Sequence, residues 1–222
     1  MYLIMIVPAL LLSLYAQFKV KATFNKYSKI TASRGISGAE VASTILRKNG
    51  MNSVGIEQVR GSLTDHYDPT VKTVRLSETV YGSNSIAAIG VAAHEVGHAI
   101  QHQEEYGPLG LRHKLVPVTN FASSASFPIL LIGFIFNQLN LIMLGIILFS
   151  AVVLFHLVTL PVELNASRRA VVQLSETGII SAGEAPMVKK VLSAAALTYI
   201  AATLAAVANL LYYVMIFMGS ND

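Results

Sequence analysis

Four long apolar stretches, at residues 2–18, 121–136, 141–160 and 192–218, restrict the folds open to this chain more than any other feature. A helix needs about 20 predominantly apolar residues to cross the hydrocarbon layer of a bilayer, and these lengths bracket that figure. The composition agrees: 54% of residues are hydrophobic and only 13% charged, which is too apolar for an ordinary soluble domain. The chain therefore reads as mainly α, a polytopic membrane protein with about four transmembrane helices. Ser123, Ser124, Ser126 and Pro128 dilute the second stretch, but the polar run Asn137-Gln138-Leu139-Asn140 makes a short turn joining it to the third. Those two stretches read as a helical hairpin.

Charge orients the spans. All sixteen Lys and Arg fall between Lys19 and Lys114 or between Arg168 and Lys190, with none in the hairpin turn or at either terminus. Basic loops stay on the cytoplasmic side, so residues 19–115 and 161–190 are expected in the cytoplasm and the N-terminus outside. Lys19, Lys21, Lys26 and Lys29 follow the first apolar stretch rather than precede it, which favours a retained anchor over a cleaved signal. The net charge of +4 invites a nucleic-acid partner, yet no basic patch is interleaved with aromatics, and no nucleic acid is expected. With no Cys in the chain, any metal must be held by His and carboxylates.

The chemistry concentrates in His94-Glu95-Val96-Gly97-His98, flanked by alanine-rich apolar sequence that predicts a buried helix over residues 85–103, capped by Asn84 or Ser85. Helical residues four apart differ by about 40° and roughly 6 Å of rise, so both imidazoles face one point and can share one zinc ion. Glu95 is placed beside that point, able to take a proton from water at the metal. The pattern H-E-x-x-H arises by chance in on the order of 1 in 100 chains of this length. Two His and a Glu on an apolar helix would otherwise leave three polar groups to satisfy. His102 continues the spacing, but it lies roughly 12 Å along the axis from His94 and cannot share the ion; a supporting or surface role is expected.

The remaining polar sequence predicts a small cytoplasmic zincin-like α+β region. Ser37 and Glu40 have capping-box spacing ahead of an apolar stripe of Val41, Ile45 and Leu46. Residues 54–59 and 71–76 carry strand patterns, and Asp65-His66-Tyr67-Asp68-Pro69 between them is turn chemistry. Residues 71–76 are the candidate edge strand for holding a substrate backbone, with an ordinary structural strand as the alternative. Ser181 and Glu184 repeat the capping-box spacing, and the alanine-rich run from Ala194 to Ala208 permits close helix approach within a bundle, with a membrane partner protein or a second copy of the chain.

A catalytic zinc site needs a third protein ligand. His66, Asp65, Asp68, His113, His156, Glu163 and Glu176 are candidates. After the hairpin the chain returns to the cytoplasmic surface at Pro161-Val162-Glu163, which puts Glu163 on the right side and at the right depth. Asp65 and Asp68 are explained as turn residues and Glu176 as a residue near a helix end. His156 lies on the same helical face seven residues earlier, either a functional neighbour or a packing residue.

The segments Val91–His102, Pro161–Ala170 and Lys189–Tyr199, in this order and spacing, resemble the YugP-type family of bacterial membrane zinc metallopeptidases, and the similarity extends from the first span to the last. It implies His94, His98 and Glu163 as ligands of one zinc ion, Glu95 as catalytic base, and a multi-pass protein of the bacterial cell (inner) membrane. A more distant similarity is to the HtpX class, in which the third-ligand Glu is followed four residues later by Asp. Ser167 stands at that point here, with Asn165 nearby, so the groups orienting the first His must differ. An oxyanion donor is expected among His66, Tyr67, Tyr106, His156 and Arg168. The function expected is zinc-dependent hydrolysis of peptide or membrane-protein substrates at the cytoplasmic face of the lipid bilayer. The rivals are a scaffold or regulatory binding protein with a silent zinc site and a transporter, the latter opposed by the scarcity of charges within the spans.

Overall fold

The computed structural model describes residues 2–219. In chain order its elements are α1 (Tyr2–Tyr27), α2 (Gly38–Lys48), β1 (Gly55–Val59), β2 (His66–Asp68), β3 (Thr73–Ser77), α3 (Glu78–Tyr81), α4 (Ile86–Gln103), α5 (Gly107–Ile135), α6 (Leu139–Glu176) and α7 (Ala185–Gly219). Four of these helices, α1, α5, α6 and α7, are long and apolar enough to cross a membrane.

Each long helix extends past the apolar stretch that predicted it. Helix α5 begins at Gly107, fourteen residues before the second stretch (121 minus 107), and α6 continues from the third stretch to Glu176, carrying Glu163 within the same helix. The serines that dilute α5 do not break it: Ser123 Oγ donates to the Asn120 carbonyl at 3.2 Å and Ser124 Oγ to those of Asn120 and Phe121 at 3.1 and 2.9 Å. Hydroxyls satisfied by their own helix need no water. Prolines lie inside α1, α5 and α6, at Pro8, Pro117, Pro128 and Pro161.

The chain divides into two compact units. One comprises the described residues of Met1–Ala16, Gly107–Pro161 and Leu197–Asp222. In its interior small and hydroxyl-bearing residues such as Ala122, Ser126, Gly133 and Thr203 accompany Leu130 and Ile142, and many of its large apolar side chains, Phe121, Phe127, Ile135 and Ile147 among them, are exposed. A Cβ at Gly133 would meet the Ile142 backbone nitrogen at 2.8 Å, so the hairpin of α5 and α6 closes on a glycine.

The other unit, Gln17–Tyr106 and Val162–Ala196, has a conventional apolar core. Val41 and Ile45 of α2, Val74 and Leu76 of β3, Ile86, Ile89 and Val96 of α4, Leu174 of α6 and Val188 of α7 form one cluster and are all fully buried. Each such side chain contributes about 1.5–3 kcal/mol by leaving water. The capping box of Ser37 and Glu40 starts α2, with both reciprocal hydrogen bonds present. Ser85 caps α4 by accepting from the Ala88 N–H at 3.2 Å.

The sheet departs from expectation. It has three strands in the order β1-β3-β2, with β1 parallel and β2 antiparallel to β3. His66-Tyr67-Asp68, expected as a turn, is therefore a strand. Residues 71–76, expected as a candidate edge, contain most of the central strand Thr73–Ser77, which pairs with β1 along its length and with β2 at Thr73, Val74 and Arg75. A strand paired on both sides has no free N–H and C=O row for a substrate, so the edges are β1 and β2 instead.

Candidate metal centre

Helices α4 and α6 cross at a glycine. A Cβ at Gly97 would lie 2.7 Å from the Ala166 carbonyl oxygen and 3.2 Å from its Cα, so only hydrogen fits between the two backbones. This approach sets the His94 and His98 side chains, one turn apart on α4, against Glu163 of α6.

His94 Nε2 lies 3.3 Å from Glu163 Oε2 and His98 Nε2 lies 3.6 Å from the same oxygen. One ligand atom from each of the three residues can be chosen so that all lie within 4.8 Å of one another, a group able to hold a metal ion. Two ligands bound tetrahedrally to zinc at about 2.0–2.1 Å stand about 3.3 Å apart, so these spacings suit that ion. The Glu163 side chain is only 3% exposed and that of His98 10%. A buried carboxylate facing two imidazoles supplies donors of the kind zinc takes.

The hydrogen bonds behind the ligands set their orientation. Gln101, fully buried on α4, donates through Nε2 to the Val162 carbonyl at 2.8 Å and to Asn165 Oδ1 at 2.9 Å. Its amide oxygen is thus the atom 3.0 Å from His98 Nδ1, and that nitrogen must be the donor. The neutral His98 ring then carries its proton on Nδ1 and turns the lone pair of Nε2 toward Glu163, where two facing acceptors call for a cation between them. Asn165 Oδ1 also accepts from Arg169 Nε at 2.7 Å, and Arg169 pairs with Glu104 at 2.7 Å, anchoring the chain at the surface. The Ser167 hydroxyl lies 3.2 Å from His94 Nδ1. Asn165 and Ser167 therefore serve different imidazoles, Ser167 directly and Asn165 through Gln101. Gln101 escaped the sequence reading because a lone Gln on an apolar helix carries no motif; its place three residues after His98, on the same face, was the available signal.

Glu95 is buried beside this cluster. Burial pushes its carboxyl pKa up, against the pull of His94 and His98, and the charges of Glu163 and Asp65 add to the rise. For His98, burial favours the neutral ring, but the hydrogen bond to Glu163, the charges of Glu95 and Glu163, and Gln101 together raise its pKa.

The other candidates are placed elsewhere. His102 exchanges a hydrogen bond with the Tyr67 hydroxyl at 2.9 Å. His66 Nδ1 is 2.9 Å from the Thr64 carbonyl. Asp65 accepts from the Ser77 backbone N–H at 2.7 Å and from its hydroxyl at 3.0 Å; Asp68 accepts from Arg75 at 2.7 Å. Glu176 pairs with Lys48 at 2.8 Å. Tyr106 follows α4, half-buried; His113 and His156 belong to the other unit. Arg168 lines a cavity of about 340 Å³ together with Ser167, next to the residue that touches His94.

Over residues 2–218 the chain matches the family model described as "Putative neutral zinc metallopeptidase". It is similar to "Putative membrane protease YugP" of Bacillus subtilis (strain 168), 57% identical over 222 residues that cover 100% of this chain and 99% of that relative. No solved structure matches it.

Proposed function

Because the chain belongs to the neutral zinc metallopeptidase family, we propose that it is a membrane-embedded endopeptidase whose single zinc ion is held by His94, His98 and Glu163. The observation that carries this reading is the convergence of those three donor groups from two helices beside a buried Glu95. Zinc held there supplies a Lewis acid that acidifies water and polarises a peptide carbonyl. Glu95 accepts a proton from the attacking water as its oxygen bonds to the carbonyl carbon. It returns that proton to the scissile nitrogen as the C–N bond breaks. Gln101 and Ser167 hold the two imidazoles in place meanwhile, and Arg168 is the donor candidate to examine first at the oxyanion because its cavity adjoins His94 through Ser167.

The distribution of Lys and Arg supports a site on the cytoplasmic face, with the N-terminus outside and the chain in the bacterial cell membrane. Glu163 lies about 36 Å along α6 from Leu139, beyond the roughly 30 Å of a hydrocarbon core. Such a position suits peptides and the loops of membrane proteins as substrates. The free edges β1 and β2 are the places for an extended substrate backbone to pair.

The test joins zinc content to cleavage of labelled casein by purified full-length protein. Glu95→Gln retains one zinc per chain and loses activity by about 10²–10⁴-fold, the usual worth of a general base. Glu163→Ala loses the zinc. Undiminished cleavage by Glu95→Gln would overturn Glu95 as the general base, and no cleavage by zinc-loaded wild type would leave the scaffold reading, with a silent zinc, as the better one.

A further inference from the structure

The second basic feature of the site-bearing unit lies away from the metal centre. A cavity of about 490 Å³ opens between α1 and the first turns of α7, lined by Lys19, Thr23 and Lys26 from α1 and by Lys189, Lys190 and Ser193 from α7. Its volume falls within the range of about 300–1,000 Å³ common to small-molecule sites. Lys19, Thr23 and Lys26 follow i, i+4, i+7 spacing and share one face of α1; Lys189, Lys190 and Ser193 share one face of α7. Four lysines and the hydroxyl-bearing Thr23, Tyr27 and Ser193 thus line one concavity, with Lys26 Nζ 5.6 Å from the centre of the Tyr27 ring, and among the described residues lining it none is acidic.

Like charges gathered without a carboxylate among them favour an anion rich in acceptor oxygens, and a phosphodiester is the best match to ammonium and hydroxyl donors. The position along the chain says which phosphodiester. Lys19 directly follows the apolar run of α1, next to Phe18, which is 71% exposed. Lys189 and Lys190 directly precede the apolar run of α7. Lys19 and the Lys189–Lys190 pair stand where an apolar span gives way to polar sequence, the level of lipid headgroups, and Phe18 beside Lys19 is an exposed aromatic ring at the same level. We propose that this cavity binds the headgroup of an anionic phospholipid. The assignment depends on the chain spanning a bilayer and not on peptide hydrolysis.

Native mass spectrometry of the full chain, released from micelles doped with phosphatidylglycerol or phosphatidylcholine, tests it. Wild-type protein retains phosphatidylglycerol preferentially. Lys189→Gln with Lys190→Gln lowers that retention about 25-fold, taking about 5-fold per lysine, and leaves phosphatidylcholine unchanged. Lys189→Arg with Lys190→Arg keeps the lipid, which separates lost charge from lost fold. Arg60→Gln with Lys72→Gln, an equal charge loss outside the cavity, changes nothing. Equal phosphatidylglycerol retention by the glutamine pair, or an equal loss in the Arg60 and Lys72 control, overturns the proposal. So does displacement of the lipid by inorganic phosphate at matched ionic strength, which would mark a site for the free anion. Glu95→Gln retains phosphatidylglycerol as wild type does, whatever it does to casein, so the lipid assignment and the peptidase reading fail separately.

Discussion

The two units of this chain differ in how many of their large apolar residues they expose. In the unit that carries the metal centre, Ile45, Leu76, Ile89 and Leu174 are buried, and Lys48, Glu104 and Glu176 face out. In the other, Ser126, Gly133 and Thr203 are inside and Phe121, Phe127, Ile135 and Ile147 outside. A single rule gives both patterns once the solvent is specified. Water expels large apolar groups into a core, whereas lipid tails are as apolar as leucine, so helices meeting there gain most from small residues that let backbones approach. The metal centre sits in the unit ordered by water. The carboxylate of its candidate donor group nonetheless comes from α6, the helix that also supplies the exposed Ile147.

The sharpest contrast is between two leucines of opposite exposure. Leu174→Ala, in the fully buried cluster, is expected to destabilise the protein by about 2–5 kcal/mol through lost contacts and a residual cavity. Leu131→Ala, on the exposed apolar surface, is expected to cost about 0.5 kcal/mol in denaturant titration of micelle-solubilised protein. Equal losses at the two sites would mean that the exposed face is packed against something, as in a dimer.

Next is the helix crossing. Gly97→Ala places a methyl 2.7 Å from the Ala166 carbonyl, and because the backbone of α4 fixes the one and that of α6 carries the other, neither can rotate away. A loss of about 1–3 kcal/mol is expected, with zinc content falling as Glu163 moves off the imidazoles. Retained zinc at unchanged stoichiometry would show that the glycine serves packing alone. Gln101→Leu fills the same space without the amide. It should weaken zinc binding about 10–100-fold, measured by chelator competition, because His98 Nδ1 loses its acceptor, while thermal stability moves little, since Asn165 keeps its bond from Arg169.

How much of this was legible follows from the range of each interaction. His94, Glu95 and His98 announce themselves because one helical turn holds them together. Glu163 was reachable by following the spans, since the hairpin fixes where α6 emerges. Strand β2 was not, because Asp65, Asp68 and Pro69 read locally as a turn and only pairing with β3 makes three residues a strand. Nor was Gln101, whose partners Val162 and Asn165 lie 61 and 64 residues away. Local patterns show in sequence; contacts closed by tertiary structure do not.

A smaller effect than at the core leucine or the helix crossing belongs to Glu184, in the turn before α7. Burial opposes its charge, but hydrogen bonds from the N–H and hydroxyl groups of both Ser181 and Ser33 hold its pKa down to about 2. A carboxylate with a depressed pKa stabilises the fold above its ordinary range and loses that contribution as acid protonates it. Glu184→Gln should therefore cost about 1 kcal/mol at neutral pH, the worth of a helix-terminal cap. The difference from wild type should be complete above about pH 4.5 and shrink as the pH falls toward about 2. A difference independent of pH would mean that shape rather than charge joins Ser33 to this turn.

His94 and Glu163 are 69 residues apart, with the whole α5–α6 hairpin between them. A ribosome making this chain therefore releases the two histidines long before their carboxylate exists, and inserts a complete hairpin before the set can close. Until then the newborn chain has two of the three donors of the group that could hold a metal, and the set closes only when the hairpin has been made, with α7 still to follow.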